Sequence, residues 1–181
     1  MNKYLLKTPR LVLRSISLKD VDDLWPHVSD PDTCRYMSWH PHKDKTETKM
    51  FVERVISEMD EDKSYTWTIF FHDEFCGIIS LIGILRKHRA LTYDRAELAY
   101  WLGKRFQHKG IMTEAGQRII EFAFKELGIH RLVVSHVPQN NSSKRLIKRW
   151  NFKYIGTERE AFNKNGQWFD HNLYELLEDA L

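Results

Sequence analysis

Tyr100-Trp101-Leu102-Gly103-Lys104-Arg105-Phe106-Gln107-His108-Lys109-Gly110-Ile111-Met112-Thr113-Glu114-Ala115 has the composition of a strand that turns into a long helix. N–H groups in a helix's first turn have no intrahelical acceptor and sit at the positive end of its dipole, so main chain from Gln107 to Met112 can hold a pyrophosphate. Gly110 would let the backbone approach such an anion closely, and His108, Lys109 and Lys104 or Arg105 can add point charges. An ordinary glycine-containing helix start has the same spacing, and no GxxxxGK[ST] loop occurs. A second distinctive position is Glu97, an isolated carboxylate on an otherwise apolar strand. It is either paired with Arg95 or Arg131 or available to take a proton.

The elements that position these residues can be read from periodicity. Leu11 to Ile16 alternates as a first strand, Asp20 is placed to cap a helix through Val28, and Pro31 is expected to stop it. Thr46 to Met59 is an amphipathic helix with Met50, Phe51, Val55, Ile56 and Met59 on its apolar face. Tyr65 to Phe71 and Phe75 to Leu85 form a hairpin around Asp73-Glu74, and Arg95 to Leu102 is a central strand. Ile111 to Leu127 is the longest amphipathic helix, ended by Gly128, and Arg131 to His136 is the next strand. Asn140 to Trp150 is a second helix, capped by an Asn or Ser and ended by Asn151. Two closing strands, around Phe152 to Glu160 and Gln167 to Leu176, are joined by the turn signal Asn165-Gly166. The class is mixed α+β, with antiparallel strands leading into a strand-helix-strand-helix passage that favours a ligand site near helix N-termini.

Composition narrows the function. The 181 residues fit one domain, with 42% hydrophobic and 29% charged residues, 13% aromatics and a mean hydropathy of −0.53. No apolar run approaches the roughly 18 residues that span a bilayer, and Met1 to Arg10 lacks a secretory apolar region, so a cytoplasmic protein is expected. Cys34 and Cys76 form no CxxC pair, and scattered histidines such as His40 and His42 around Pro41 have no metal-ligand spacing. No metal is expected. A net charge of +3 suits an anionic ligand, but no long basic run or aromatic-basic repeat argues for nucleic acid.

Gln107-x-x-Gly110-x-Met112, followed by Thr113-Glu114-Ala115, resembles the Q/R-x-x-G-x-G/A acetyl-CoA loop of the GNAT superfamily, in particular its RimJ/RimL-like branch of protein N-terminal acetyltransferases. Met112 departs from the small third residue of that pattern. Thr8-Pro9-Arg10-Leu11-x-Leu13-Arg14 resembles the branch's first strand, Ala96-Glu97-Leu98-Ala99-Tyr100-Trp101-Leu102 its fourth, and Asn140-x-x-Ser143 its second CoA motif. Asn165-Gly166-Gln167-Trp168-Phe169-Asp170-His171-x-x-Tyr174 resembles its closing hairpin, so the likeness covers nearly the whole chain.

The resemblance implies one GNAT domain over residues 1–181, with a twisted, mostly antiparallel sheet of about seven strands and a splay between the fourth and fifth. It implies that acetyl-CoA, without a metal, lies against Trp101, Leu102 and Gly103 and over Gln107, His108, Lys109, Gly110, Ile111, Met112 and Thr113. Asn140 and Ser143 would hold the pantetheine arm, with Ser143 also the candidate for protonating the thiolate and Glu97 for accepting the amine proton. Each has a plainer alternative: helix capping for Asn140 and Ser143, an ion pair for Glu97. Tyr36, Trp39, Asp170, His171 and Tyr174 would line the acceptor end, although packing explains Tyr36 and Trp39 equally well, a turn or ion-pair role is the alternative for Asp170, and a core role with its hydroxyl at the rim is the alternative for Tyr174. The acceptor is a protein N-terminus, such as that of a ribosomal protein, or a small amine. A non-catalytic CoA-binding module and a homodimer are further alternatives. An α-amine, with a pKa of about 7.8 against about 10.4 for lysine, is easier to deprotonate by roughly 3.5 kcal/mol.

Overall fold

Period-two runs and turn residues build one sheet. The computed structural model, which describes residues 4–180, orders its strands β1-β2-β3-β4-β5-β6-β8-β7. They are β1 Leu6–Lys7, β2 Leu11–Ser15, β3 Tyr65–Phe71, β4 Glu74–His88, β5 Leu91–Leu102, β6 Arg131–His136, β7 Lys153–Lys164 and β8 Gln167–Leu177. The strand beyond the expected seven is β1, which pairs Leu6 with Leu13 and Lys7 with Val12. With it counted, the expected fourth and fifth strands are β5 and β6.

Neighbours are antiparallel except β5 and β6, where Arg95, Ala96 and Glu97 face Arg131, Leu132 and Val133. Past Glu97 these two strands part. Strand β5 continues along β4 to Leu102, and β6 continues along β8 to His136. This is the expected splay. Strands β4 and β5 also run further than their apolar patterns indicate, pairing His88 with Leu91 across a turn that places Arg89 at φ 55. The polar residues of this arm pair through main chain, which hydropathy does not register.

Helices α1 (Val21–Val28), α2 (Pro31–Cys34) and α3 (Lys45–Asp60) precede the long strands, and α4 (Ile111–Lys125) and α5 (Asn141–Arg149) follow them. On one face of the sheet Leu24 and Val28 of α1 and Val52 and Val55 of α3 pack on Phe75, Ile78 and Trp101. On the other, Ile119, Ile120, Phe122 and Ala123 of α4 and Ile147 of α5 pack on Trp67, Ile69, Ile79, Leu81 and Leu98.

Three helix expectations are corrected. Asp20 stands at the start of α1, but its carboxylate accepts the Ser17 N–H at 2.7 Å and pairs with the Arg14 guanidinium instead of capping α1. Pro31 stops nothing: it opens α2, where a fixed φ and a missing donor are tolerated, and Asp30 caps that turn through Asp32 and Thr33 at 3.1 and 3.2 Å. The buried stripe of α3 is Thr48, Val52 and Val55, while Met50 is 63% exposed. Phe51, Ile56 and Met59 are partly buried against the same core, and helix α3 is turned so that Met50 and Phe51 also border a cavity.

The two helices on the second face are locked by one indole. Trp150 donates from Nε1 to the Thr113 carbonyl at 3.1 Å and packs edge-on against Tyr100 with ring centroids 5.0 Å apart. It also lies against Gly116 of α4, where an added Cβ would sit 2.0 and 2.3 Å from two ring atoms. Helix propensity favours Gly116→Ala by about 0.5–1 kcal/mol, whereas overpacking costs about 1–3 kcal/mol, so the clash should win. Gly116→Ala is expected to lower the urea unfolding midpoint; an unchanged or raised midpoint would contradict this packing.

Candidate active site

Beyond Glu97 the side of β5 that faced β6 is left without a strand neighbour, and two cavities open there. One, of about 570 Å³, lies by the end of β5 and the starts of α4 and α5. The other, of about 800 Å³, lies on the α3 side of the sheet. They share Tyr36, Met37, Tyr100, Trp101, Asn140 and Ser143. Alternation along β5 divides its side chains: Trp101 joins the α1–α3 core, and Tyr100 packs against Trp150 on the opposite face.

The smaller cavity is a groove whose floor is the start of α4. Gly110 precedes α4 at φ 75 and His108 has φ 62, both left-handed, so the chain makes a tight double bend before the helix. The Glu114 N–H donates to the Gly110 carbonyl at 3.1 Å, and the N–H groups of Ile111, Met112 and Thr113 ahead of it have no intrahelical acceptor. Leu102, Gln107, His108, Gly110, Ile111, Met112 and Thr113 line the groove, and the Gln107 amide donates to the Leu102 carbonyl at 3.2 Å. Met112 packs into the α4 core and is 5% exposed, so its size does not close the loop.

Lys109, expected in the loop, and Gly103, expected on the strand edge, are held by contacts of their own. Lys109 turns its carbonyl to Arg10 at 3.1 Å, and Gly103 backs onto His27, whose ring an added Cβ would meet at 2.6 Å. Burial of His27, with Arg105 nearby, lowers its pKa from 6.5, so it packs as a neutral ring between Phe75 and Trp101.

Tie points fix the groove. Glu114, in the first turn of α4, accepts from Thr8 Oγ1 at 2.6 Å, Arg10 N–H at 3.0 Å and Arg10 Nε at 2.7 Å. The Thr8-Pro9-Arg10 segment thus anchors the helix start. Desolvation alone would raise the Glu114 carboxyl, but the hydrogen bonds from Thr8 and Arg10 outweigh it and hold its pKa below 4.5.

Where the cavities meet, Ser143 is 8% exposed and its Oγ is 2.8 Å from the Tyr100 hydroxyl. The Asn140 side chain accepts the Ser143 N–H at 3.1 Å, so the expected cap is present. In the larger cavity Glu97 accepts from the Ser135 hydroxyl at 3.1 Å. The ion pairs weighed for it do not form: Arg131 binds Glu175 at 2.8 Å, and Arg95 lies over the Tyr93 ring. Tyr36, Trp39 and His171 line this cavity.

Asp170 and Tyr174 line neither cavity. Asp170 accepts the Glu160 N–H at 2.8 Å inside the closing hairpin, where Glu160 has φ 50, and Tyr174 is buried with its hydroxyl 3.2 Å from His136 Nε2. His136 borders the cavity instead. Its Nδ1 meets the Val137 carbonyl at 2.7 Å and must carry the proton, so Nε2 accepts from Tyr174. Burial lowers its pKa from 6.5 and keeps it neutral. Sequence reading passed over Ser135, His136 and the Tyr100 hydroxyl. Alternation places Tyr100 on the α4 side of the sheet, but the partner of its hydroxyl is 43 residues away.

A strand splayed from its parallel neighbour beside a helix that begins with a left-handed glycine offers an open main-chain edge next to an anion-binding helix start. The acetyltransferase (GNAT) domain family matches residues 10–153, and the chain belongs to that family. The uncharacterized N-acetyltransferase YnaD of Bacillus subtilis is 25% identical over 174 residues, covering 96% of this chain and 97% of the relative. The [ribosomal protein uS5]-alanine N-acetyltransferase of Escherichia coli is 26% identical over 190 residues, covering 96% and 91%. RimL, the ribosomal L7/L12 alpha-N-protein acetyltransferase solved with coenzyme A, shares the fold at a TM-score of 0.89 and 24% identity, over 97% of this chain and 98% of that one. The protein is an acetyl-CoA-dependent N-acetyltransferase. Among the described residues no His, Cys, Asp or Glu cluster could hold a metal and no helix is long and apolar enough to cross a membrane.

The Glu114 ties have a pH signature. A depressed folded pKa contributes stability above the unfolded value near 4.5 and loses it as pH falls through the folded pKa. Glu114→Gln is therefore expected to be less stable than native at pH 7 and to approach it below about pH 4. Chemical denaturation at several pH values checks this, and a gap that widens in acid would contradict it.

Proposed function

We propose that the chain acetylates the N-terminal α-amine of a protein, such as a ribosomal protein, and that its acceptor enters the larger cavity. The observation that carries this is Glu97, a carboxylate beside the splay that faces that cavity with a serine hydroxyl as its donor and neither flanking arginine neutralising it. A volume of about 800 Å³ bordered by Trp39, Phe51, Val55 and Ile78 has room for residues that follow an amine in a peptide. The names of the Escherichia coli relative and of RimL point the same way.

Acetyl-CoA, when bound, supplies the thioester carbonyl and the thiolate leaving group. Main-chain N–H groups of residues 107–113 hold its pyrophosphate, and the free edge of Leu98 to Leu102 accepts its extended arm as an added strand would be accepted. Asn140, already spending its carbonyl oxygen on the cap, offers its amide N–H₂ to the same arm. Glu97 takes the proton that the amine nitrogen loses as its bond to the acyl carbon forms. When the carbon–sulfur bond breaks, Ser143 Oγ–H can turn to the departing sulfur, because the Tyr100 hydroxyl 2.8 Å away is able to act as the donor of that pair. A thiolate with a pKa of about 8.5 needs only this modest donor near neutral pH. Tyr36, Trp39 and His171 shape the cavity around the acceptor. The single sheet threaded from Leu6 to Leu177 supports one catalytic domain.

Thiol release from acetyl-CoA, with mass detection of product, should proceed with hexapeptides bearing a free N-terminal alanine or serine. N-acetylated peptides containing lysine should be inert, and spermidine poor. Transfer to spermidine alone would keep the donor chemistry and overturn the acceptor assignment. Glu97→Gln should lower kcat/KM for the peptide roughly 10- to 100-fold at pH 7, with the deficit shrinking above about pH 8 as the α-amine loses its own proton. A mutant-to-native ratio that stays flat across pH would remove Glu97 as the base.

A further inference from the structure

Lys164 ends β7 beside the Asn165-Gly166 turn, far in sequence from the first helices. Its Nζ nevertheless reaches three carbonyl oxygens at the end of α2 and in the segment that follows it: Cys34 at 2.7 Å, Met37 at 2.8 Å and Trp39 at 3.0 Å. An ammonium has three N–H donors, and here each has one carbonyl. Tyr36, Met37 and Trp39 on this segment border the larger cavity, and the first two border the groove as well. The segment has few ties of its own, among them the Met37 N–H to Cys34 at 3.0 Å and the His42 N–H to Val28 at 2.9 Å.

From this we infer that Lys164 is a positioning residue for the acceptor, its ammonium fixing residues 34–39 as one wall of the larger cavity. The inference rests on that cavity receiving the amine. A surface ion pair placed here would be screened and weak, whereas charge-assisted bonds to three carbonyls spanning six residues fix the path of the main chain. Burial lowers the Lys164 pKa from its ordinary 10.5, as expected for a cation held among dipoles rather than by a full countercharge. The closing hairpin thereby sets the position of a wall contributed by the other end of the chain.

Lys164→Met keeps the length of the side chain and removes every donor. With the free N-terminal alanine hexapeptide, and in parallel with spermidine, the amine KM should rise about ten-fold or more while kcat and the acetyl-CoA KM stay within about three-fold. Amide hydrogen exchange of residues 34–42 should accelerate in the same variant. If Lys164→Met does not fold, Lys164→Arg carries the same test, because a planar guanidinium keeps the charge but cannot serve three carbonyls in this arrangement. Faster exchange with an unchanged amine KM would reduce Lys164 to a structural tie and overturn the assignment. An equal rise in both KM values, or unaltered exchange, would overturn it too. If the native enzyme binds acetyl-CoA but acetylates neither amine, the functional reading itself fails and this assignment goes with it.

Discussion

The site depends on an interruption: the ladder between β5 and β6 ends at Glu97 and Val133. Backbone polar groups require partners, and a strand inside a sheet normally has them on both sides. From Leu98 onward β5 has β4 on one side and an opening on the other. An extended ligand arm carrying amides can complete that edge, so affinity comes from main chain and tolerates much side-chain variation. The same opening places the start of α4 at the end of the strand that feeds it, where unpaired N–H groups face anions.

Charged residues around the opening act mostly on the protein itself. Arg10 and Thr8 hold Glu114 and with it the start of α4; Lys104 pairs with Asp32 of α2; Lys164 gathers carbonyls at the end of α2 and just after it. Each such contact contributes little to global stability where it is solvated. Their common effect is geometric, because each joins segments distant in sequence along the rim of the two cavities. Glu97 differs in facing a cavity with a single neutral donor.

Much of this was legible in the residues. Alternation located the long strands, Gly128 and Asn151 ended their helices in the left-handed conformation as expected, and Asn165-Gly166 made the hairpin turn. The glycine turn ahead of α4 and the Asn140 cap were readable because helix termini have a local chemistry. What escaped depends on distance or on the difference between a cavity and a core. Met50 was assigned to the core since periodicity cannot distinguish an apolar residue facing the sheet from one lining a pocket. The polar hairpin arm around Arg89 carries no apolar alternation. Asp170 looked like a ligand residue and proved to be a hairpin tie, while His136 looked like the end of a strand and proved to border the pocket. The partners of Tyr100 and Lys164 lie 43 and more than 120 residues away.

Strand β5 presents Glu97 toward one cavity and Tyr100, three residues on, toward the opposite helices. Side chains alternate along a strand, so inserting or deleting one residue between them would move the carboxylate or the phenol to the wrong side of the sheet. A change of two would restore the faces but displace the Glu97 carboxylate by about 7 Å along the strand relative to Ser143. Related enzymes can therefore diversify freely in the residues that carry these side chains and in the loops beyond Leu102, while the number of residues in this short stretch is frozen. Alignment gaps across a lineage should be common in the hairpin arm and absent here.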